Sequence, residues 1–187
     1  MALKSSSGKK KISPLNLDIG KVPPQAIDIE EAVLGAILME KDAVITVLDI
    51  LKPESFYKDA HQKIYNAIVE LSTKERTIDI LTVTEELRSN DELESIGGPF
   101  YITQLTNRVA SSAHIEYHSR IVAQKYIQRE LIRISSEIQN RAFDDSIDVD
   151  DLLDFSEREL FDIAEGNIKR ETAPGLPVLA IIHQFTN

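Results

Sequence analysis

Cysteine is absent from the 187 residues. That excludes thiol catalysis, disulfides and cysteine-type zinc sites, and it fits a reducing compartment. Seven glycines and seven prolines are a small share for this length, which argues against collagen-like, low-complexity and turn-dense all-β chains. No apolar run reaches the roughly 18 residues of a membrane span. The opening Met1-Ala2-Leu3-Lys4-Ser5-Ser6-Ser7-Gly8 lacks the apolar core of a signal peptide, so a cytoplasmic protein with no membrane partner is expected. Phosphate-binding glycine patterns are missing too. Gly8-Lys9 and Gly20-Lys21 are followed by Lys10 and Val22 rather than a hydroxyl residue, so no P-loop exists. Neither G-x-G-x-x-G nor G-x-S-x-G occurs.

Charge is plentiful but lopsided. The formal net charge is −10. Between Arg141 and Glu165 ten acids face two bases, whereas the first 21 residues are lysine-rich. An acidic helix repels phosphate, so DNA contact is expected to be indirect.

The hydrophobic pattern is helical. Residues 1–24 read as a flexible leader ending in Pro23-Pro24. Asp28 and Glu31 stand at capping-box spacing, followed by Val33, Ala36 and Ile37 on one face. Val44, Val47, Leu48 and Leu51 share a second helix face, and Phe56 with Tyr57 is expected to plug the core beneath a loop. A third helix starts near Asp59 and turns Ile64, Ala67, Ile68 and Leu71 inward. Thr82 and Glu85 suggest another capping box, and Gly97-Gly98-Pro99 starts a further short helix. These pieces predict a compact helical bundle.

From Ala113 to Phe143 no residue breaks a helix. After Asp144-Asp145-Ser146, with Ser146 as the expected cap, Val149, Leu153, Ser156, Leu160 and Ile163 repeat at heptad spacing. Gly166 and Asn167 are expected to end this helix. Two long helices joined by a short turn predict an antiparallel hairpin. Leu152, Phe161 and parts of the first helix would then face water, the mark of an association surface. The candidate seam is Leu131, Ile134, Ile138, Leu153, Leu160 and Phe161.

Catalytic groupings are wanting. His114 and His118 are four apart on one helix, but Ile115 stands where His-Glu-x-x-His needs Glu, so a surface pair is expected rather than a metal site. His61 and His183 show no companion in the sequence. No catalytic, metal or cofactor-binding residue is assigned.

Taken in order, several short stretches carry a resemblance. They are Pro23-Pro24-Gln25-Ala26-Ile27-Asp28-Ile29-Glu30-Glu31-Ala32-Val33-Leu34-Gly35; Phe56-Tyr57 with His61 and Ile64; Thr77-Ile78-Asp79 with Thr82; Leu93 through Gly97-Gly98 to Tyr101; and Tyr117, Ile121-Val122 and Lys125. Their order and spacing resemble the N-terminal region of bacterial replicative DNA helicases of the DnaB family. His114 stands where that family would have Asn, and the lysine-rich leader is not part of its pattern.

The resemblance implies an all-α fold: a helical globule over 25–111, a hairpin over 112–168, and a linker over 169–187 that starts a linker helix. Val178, Leu179 and Ile182 would dock that linker on a neighbour. It implies hairpins that pair between subunits, a hexamer collar, primase as a partner and possible contact with a helicase loader. It also implies that an ATP- and magnesium-dependent motor, and hence 5′-to-3′ DNA unwinding, belongs to sequence outside this chain. The competing expectation is a stand-alone adaptor that binds helicase subunits without catalysis.

Overall fold

A computed structural model describes residues 21–107 and 114–171. Among them seven α-helices and one 3₁₀ turn occur, and no strand. A non-helical approach with a bend at Pro24 leads into α1, Ile27–Met39. Its cap is Ala26, without a side-chain hydrogen bond, and the Ala26 carbonyl accepts from Ile29 and Glu30 at 3.0 Å each. The expected Asp28–Glu31 box does not form. The helix is already under way at Asp28, and Glu31 is buried. Asp28 and Glu30 instead favour the positive end of the helix dipole.

Glu40 alone separates α1 from α2, Lys41–Ile50. The 3₁₀ turn Pro53–Ser55 then leads to α3, Asp59–Thr73. The α3 stripe is as the periodicity predicts: Ile64, Ala67, Ile68 and Leu71 are all buried. Tyr65 joins them, and its hydroxyl donates to the carbonyls of Val47 and Leu51 at the end of α2. Phe56 plugs the core as expected, but Tyr57 points outward.

Helix α4, Ile80–Ser89, has its capping box three residues earlier than Thr82–Glu85 suggested. Asp79 Oδ1 accepts from the backbone of Leu81 and Thr82 at 2.9 Å, and Thr82 Oγ1 accepts from the Asp79 amide at 3.0 Å. Asp79 has the extended backbone a cap needs, whereas Thr82 is already helical. Helix α5, Gly98–Thr106, follows Gly97, whose φ of +104° favours glycine.

Helix α6, Ile115–Ala142, runs 28 residues, about 42 Å at roughly 1.5 Å each. Its first half completes the globule, because Val122 and Ala123 lie in the same buried cluster as Val33, Ile37, Phe56, Ile64 and Leu87. Fully burying one such aliphatic side chain stabilises by about 1.5–3 kcal/mol, and this cluster draws on every helix from α1 to α6. Helix α7, Val149–Glu171, packs against α6 to form the hairpin. It passes through Gly166 and Asn167 instead of ending there. Glycine costs only about 1 kcal/mol inside a helix, so a glycine alone need not stop one. No described helix is long and apolar enough to cross a membrane.

Candidate subunit-association surface

The hairpin begins with its turn. Ser146 does not cap α7. Its amide and hydroxyl both donate to Asp144 Oδ1, at 3.0 and 2.6 Å. Those bonds hold the Asp144 carboxyl below its ordinary pKa. The capping contact comes from Asp148, whose Oδ1 accepts the Asp150 amide at 2.9 Å. Its negative charge sits where the helix dipole is positive.

Few residues are buried along the hairpin proper. Past Arg129, Ile134 is the buried residue of α6, and Phe155 is the buried residue in the described part of α7. The Arg141 guanidinium lies 3.8 Å above the Phe155 ring. Arg133 bridges the helices to Glu159 at 3.3 Å and also bonds Glu130 at 3.0 Å. Those contacts, Glu130 foremost, push the Arg133 pKa up. The pair is exposed, so its contribution to stability is small.

The candidate seam residues divide. Ile134 is buried at 1% exposure and Ile138 is half-buried. Leu131, Leu153, Leu160 and Phe161 are 41, 55, 47 and 64% exposed. The heptad stripe of α7 is likewise split. Leu152, Ser156 and Ile163 are half-buried beside Phe155, while Val149, Leu153 and Leu160 face water with Phe161. Leu152 was expected to face out and does not, because Phe155 rather than Leu153 leads the inward face. Periodicity missed Phe155, and it missed Ile132, which is 55% exposed beside Leu131. Around the exposed stripe, Asp154, Glu157 and Arg158 share a shallow pocket with Phe161. The linker residues Val178, Leu179 and Ile182 lie outside the described residues.

The globule holds a polar constellation that the sequence reading missed. His61 is buried, and it has partners on both ring nitrogens. Nδ1 meets Glu30 Oε2 at 2.7 Å, and Nε2 meets the Tyr101 hydroxyl at 2.7 Å. Lys58 Nζ donates to the Tyr101 oxygen at 2.7 Å. Burial pushes the Tyr101 phenol up, so it keeps its proton and can donate it to Nε2. The contacts run Lys58 to Tyr101 to His61 to Glu30, and in the tautomer where Tyr101 donates to Nε2, His61 donates to Glu30 from Nδ1. Glu30 also accepts the Tyr57 amide at 2.8 Å. This network ties α1, α3 and α5 together, and full hydrogen bonding is what makes its burial tolerable. Glu30 precedes Val33 and Ile37, and His61 precedes Ile64 and Ile68, at helical spacing on buried stripes. Polar residues on apolar faces were the available signal.

Among the described residues no group of three His, Asp or Glu side chains could hold a metal ion. His114 and His118 lie with ring centroids 6.4 Å apart, and among the described residues no third ligand joins them.

Comparison with known proteins fits a helical globule carrying a hairpin. The family model described as DnaB-like helicase N-terminal domain matches residues 22–124. The chain is 44% identical over 162 residues to the replicative DNA helicase DnaB of Rhodothermus marinus, covering 87% of this chain and 17% of that protein. It is 40% identical over 145 residues to the replicative DNA helicase DnaC of Bacillus subtilis, covering 78% of this chain and 32% of the relative. The crystal structure of the N-terminal domain of DnaB helicase from Mycobacterium tuberculosis superposes with a TM-score of 0.72 at 34% identity, over 75% of this chain and 99% of that one. A DnaB-like replicative helicase, solved to show its interactions with primase, superposes with a TM-score of 0.63 at 25% identity, over 84% of this chain and 35% of that one. The chain thus spans a third or less of the full helicases it matches in sequence. With more than half its length under one family model and the same all-helical fold, it belongs to the DnaB-like helicase N-terminal domain family.

Proposed function

We propose that this chain is the subunit-pairing and primase-docking module of a replicative DNA helicase, and that it works by holding partners in place rather than by making or breaking bonds. The observation that carries the reading is the apolar stripe on the outside of the hairpin. Leu131, Ile132, Leu153, Leu160 and Phe161 stand exposed along two helices that bury little between themselves. Apolar area of this kind gains about 25 cal/mol for each Å² removed from water, and a second copy of the hairpin offers a matching stripe. Primase enters through the structurally similar helicase described together with its interactions with primase. ATP and magnesium would serve motor sequence outside these residues, so the isolated chain is expected to hydrolyse no ATP.

Solution mass across a concentration series tests the pairing. The wild-type chain should gain mass as concentration rises. Leu153→Asp combined with Phe161→Asp should remain monomeric while keeping its helical spectrum, because a charge buried without a partner costs about 3–5 kcal/mol. A wild-type chain that stays monomeric at millimolar concentration would remove the pairing claim. Primase docking is tested separately by titrating labelled chain with primase. No change in anisotropy would remove that half.

A further inference from the structure

Helix α6 belongs to two bodies at once. Val122 and Ala123 sit in the globule core, whereas Ile134 lies outside that cluster, as does Phe155 of α7. Arg129 stands between them. One of its terminal nitrogens donates to the Pro24 carbonyl at 3.0 Å. The other donates to Ser55 at 2.8 Å and reaches Glu54 at 3.4 Å. The guanidinium also lies 5.6 Å from the Tyr57 ring centroid and 5.7 Å from that of Tyr126. The accepting carbonyls belong to two separate segments, one entering α1 and one closing the 3₁₀ turn. Burial pulls the Arg129 pKa down, nearby Glu30 opposes this, and a guanidinium stays charged throughout the working range.

We infer that Arg129 is the pin that sets the angle at which the hairpin leaves the globule. Apolar packing at Val122 and Ala123 and the Lys52 ammonium 4.8 Å from the Tyr126 ring centroid hold α6 down, but the hydrophobic contact is non-directional. A planar fork bonded to carbonyls on two segments is directional. Further along, the side chains of Arg133, Ser135, Ser136 and Arg141 bond only within α6 or across to α7. Thirteen residues separate Arg129 from Ala142, about 20 Å of helix at roughly 1.5 Å each, so a tilt of about 10° moves the tip by about 3 Å. The angle is a property of one chain and exists whether or not hairpins pair.

The test uses the absence of cysteine. Asn90→Cys on the globule and Asp145→Cys at the hairpin tip, both at exposed positions, take spin labels without background. Pulsed dipolar spectroscopy on labelled protein diluted into unlabelled protein then reads the distance within one chain. The parent protein should give one narrow distribution. Arg129→Met should shift it by about 3 Å or more, or broaden it comparably, and Arg129→Lys should fall between, because an ammonium lacks the rigid planar fork whose two nitrogens reach the two segments. Arg133→Met, which cuts only contacts within the hairpin, should leave the distribution unchanged. A parent-like distribution in folded Arg129→Met overturns the inference, and so does an equal broadening in Arg133→Met. If Arg129→Met does not fold, Arg129→Lys is decisive, and a parent-like result there overturns it equally.

Discussion

The globule and the hairpin share α6 but reach stability by different means. In the globule, side chains from six helices converge on one cluster, and a buried polar chain through Glu30, His61 and Tyr101 crosses between them. In the hairpin, Ile134 and Phe155 are buried among the described residues, the Arg133–Glu159 ion pair crosses between the helices, and much of the apolar surface stays in water. A body that satisfies itself can be a fixed base. A body that does not is free to use its remaining surface on a partner.

The largest expected effect comes from the base. Phe56→Ala should cost about 3–5 kcal/mol and lower the melting of the whole chain, measured by calorimetry. Ile134→Ala should cost nearer 2 kcal/mol and be felt locally. Amide exchange should quicken in α7 while α1 to α5 keep their protection. Equal spreading of the two effects would erase the contrast between the regions. Glu30→Ala comes next, at about 1–3 kcal/mol in urea unfolding, because it takes the partner from the buried His61 Nδ1 and the acceptor from the Tyr57 amide. Asp79→Ala removes a cap and should cost about 1 kcal/mol.

The smallest effect is on pH dependence. Lys74 bonds Glu86, which holds the Glu86 carboxyl below its ordinary range and raises Lys74 above 10.5. The Glu86 contribution is present above the unfolded carboxylate range and fades as pH falls through the lowered value. That of Lys74 is present below 10.5 and fades as pH rises through the raised value. Stability should therefore be flat across neutral pH and fall slightly at both ends, and Glu86→Gln should flatten the acid limb. The hairpin has its own acid-sensitive group in Asp144, so Asp144→Asn should soften the acid response of the turn alone.

Helix number, hairpin and most core positions were legible because they rest on periodicity. Ile64, Ala67, Ile68 and Leu71 repeat at helical spacing, and nothing in α6 interrupts it. Caps were less legible. Asp28, Thr82 and Ser146 are all good cap residues, but capping depends on where the backbone turns non-helical, and that point lies at Ala26, Asp79 and the Asp148 region. The His61 network was invisible as a network because Glu30 and Tyr101 lie 31 and 40 residues away along the chain. Composition gave the exposed stripe of the hairpin, but not which of its members turn in. Phe155 and Leu153 are both apolar, and only packing on α6 distinguishes them. Arg129 carries no pattern, since its acceptors are main-chain oxygens.

Because Val122 and Ala123 complete a cluster that begins at Val33, the globule cannot close until α6 has been synthesised. At about 5–20 residues per second, the stretch from Thr106 at the end of α5 to Ala123 takes about 1–3 seconds, with the grooves of α1 to α5 unfilled. The same helix that ends this wait goes on to raise the hairpin, so a ribosome pause before the first half of α6 has left the exit tunnel would leave an open intermediate, and one after it would leave a finished base.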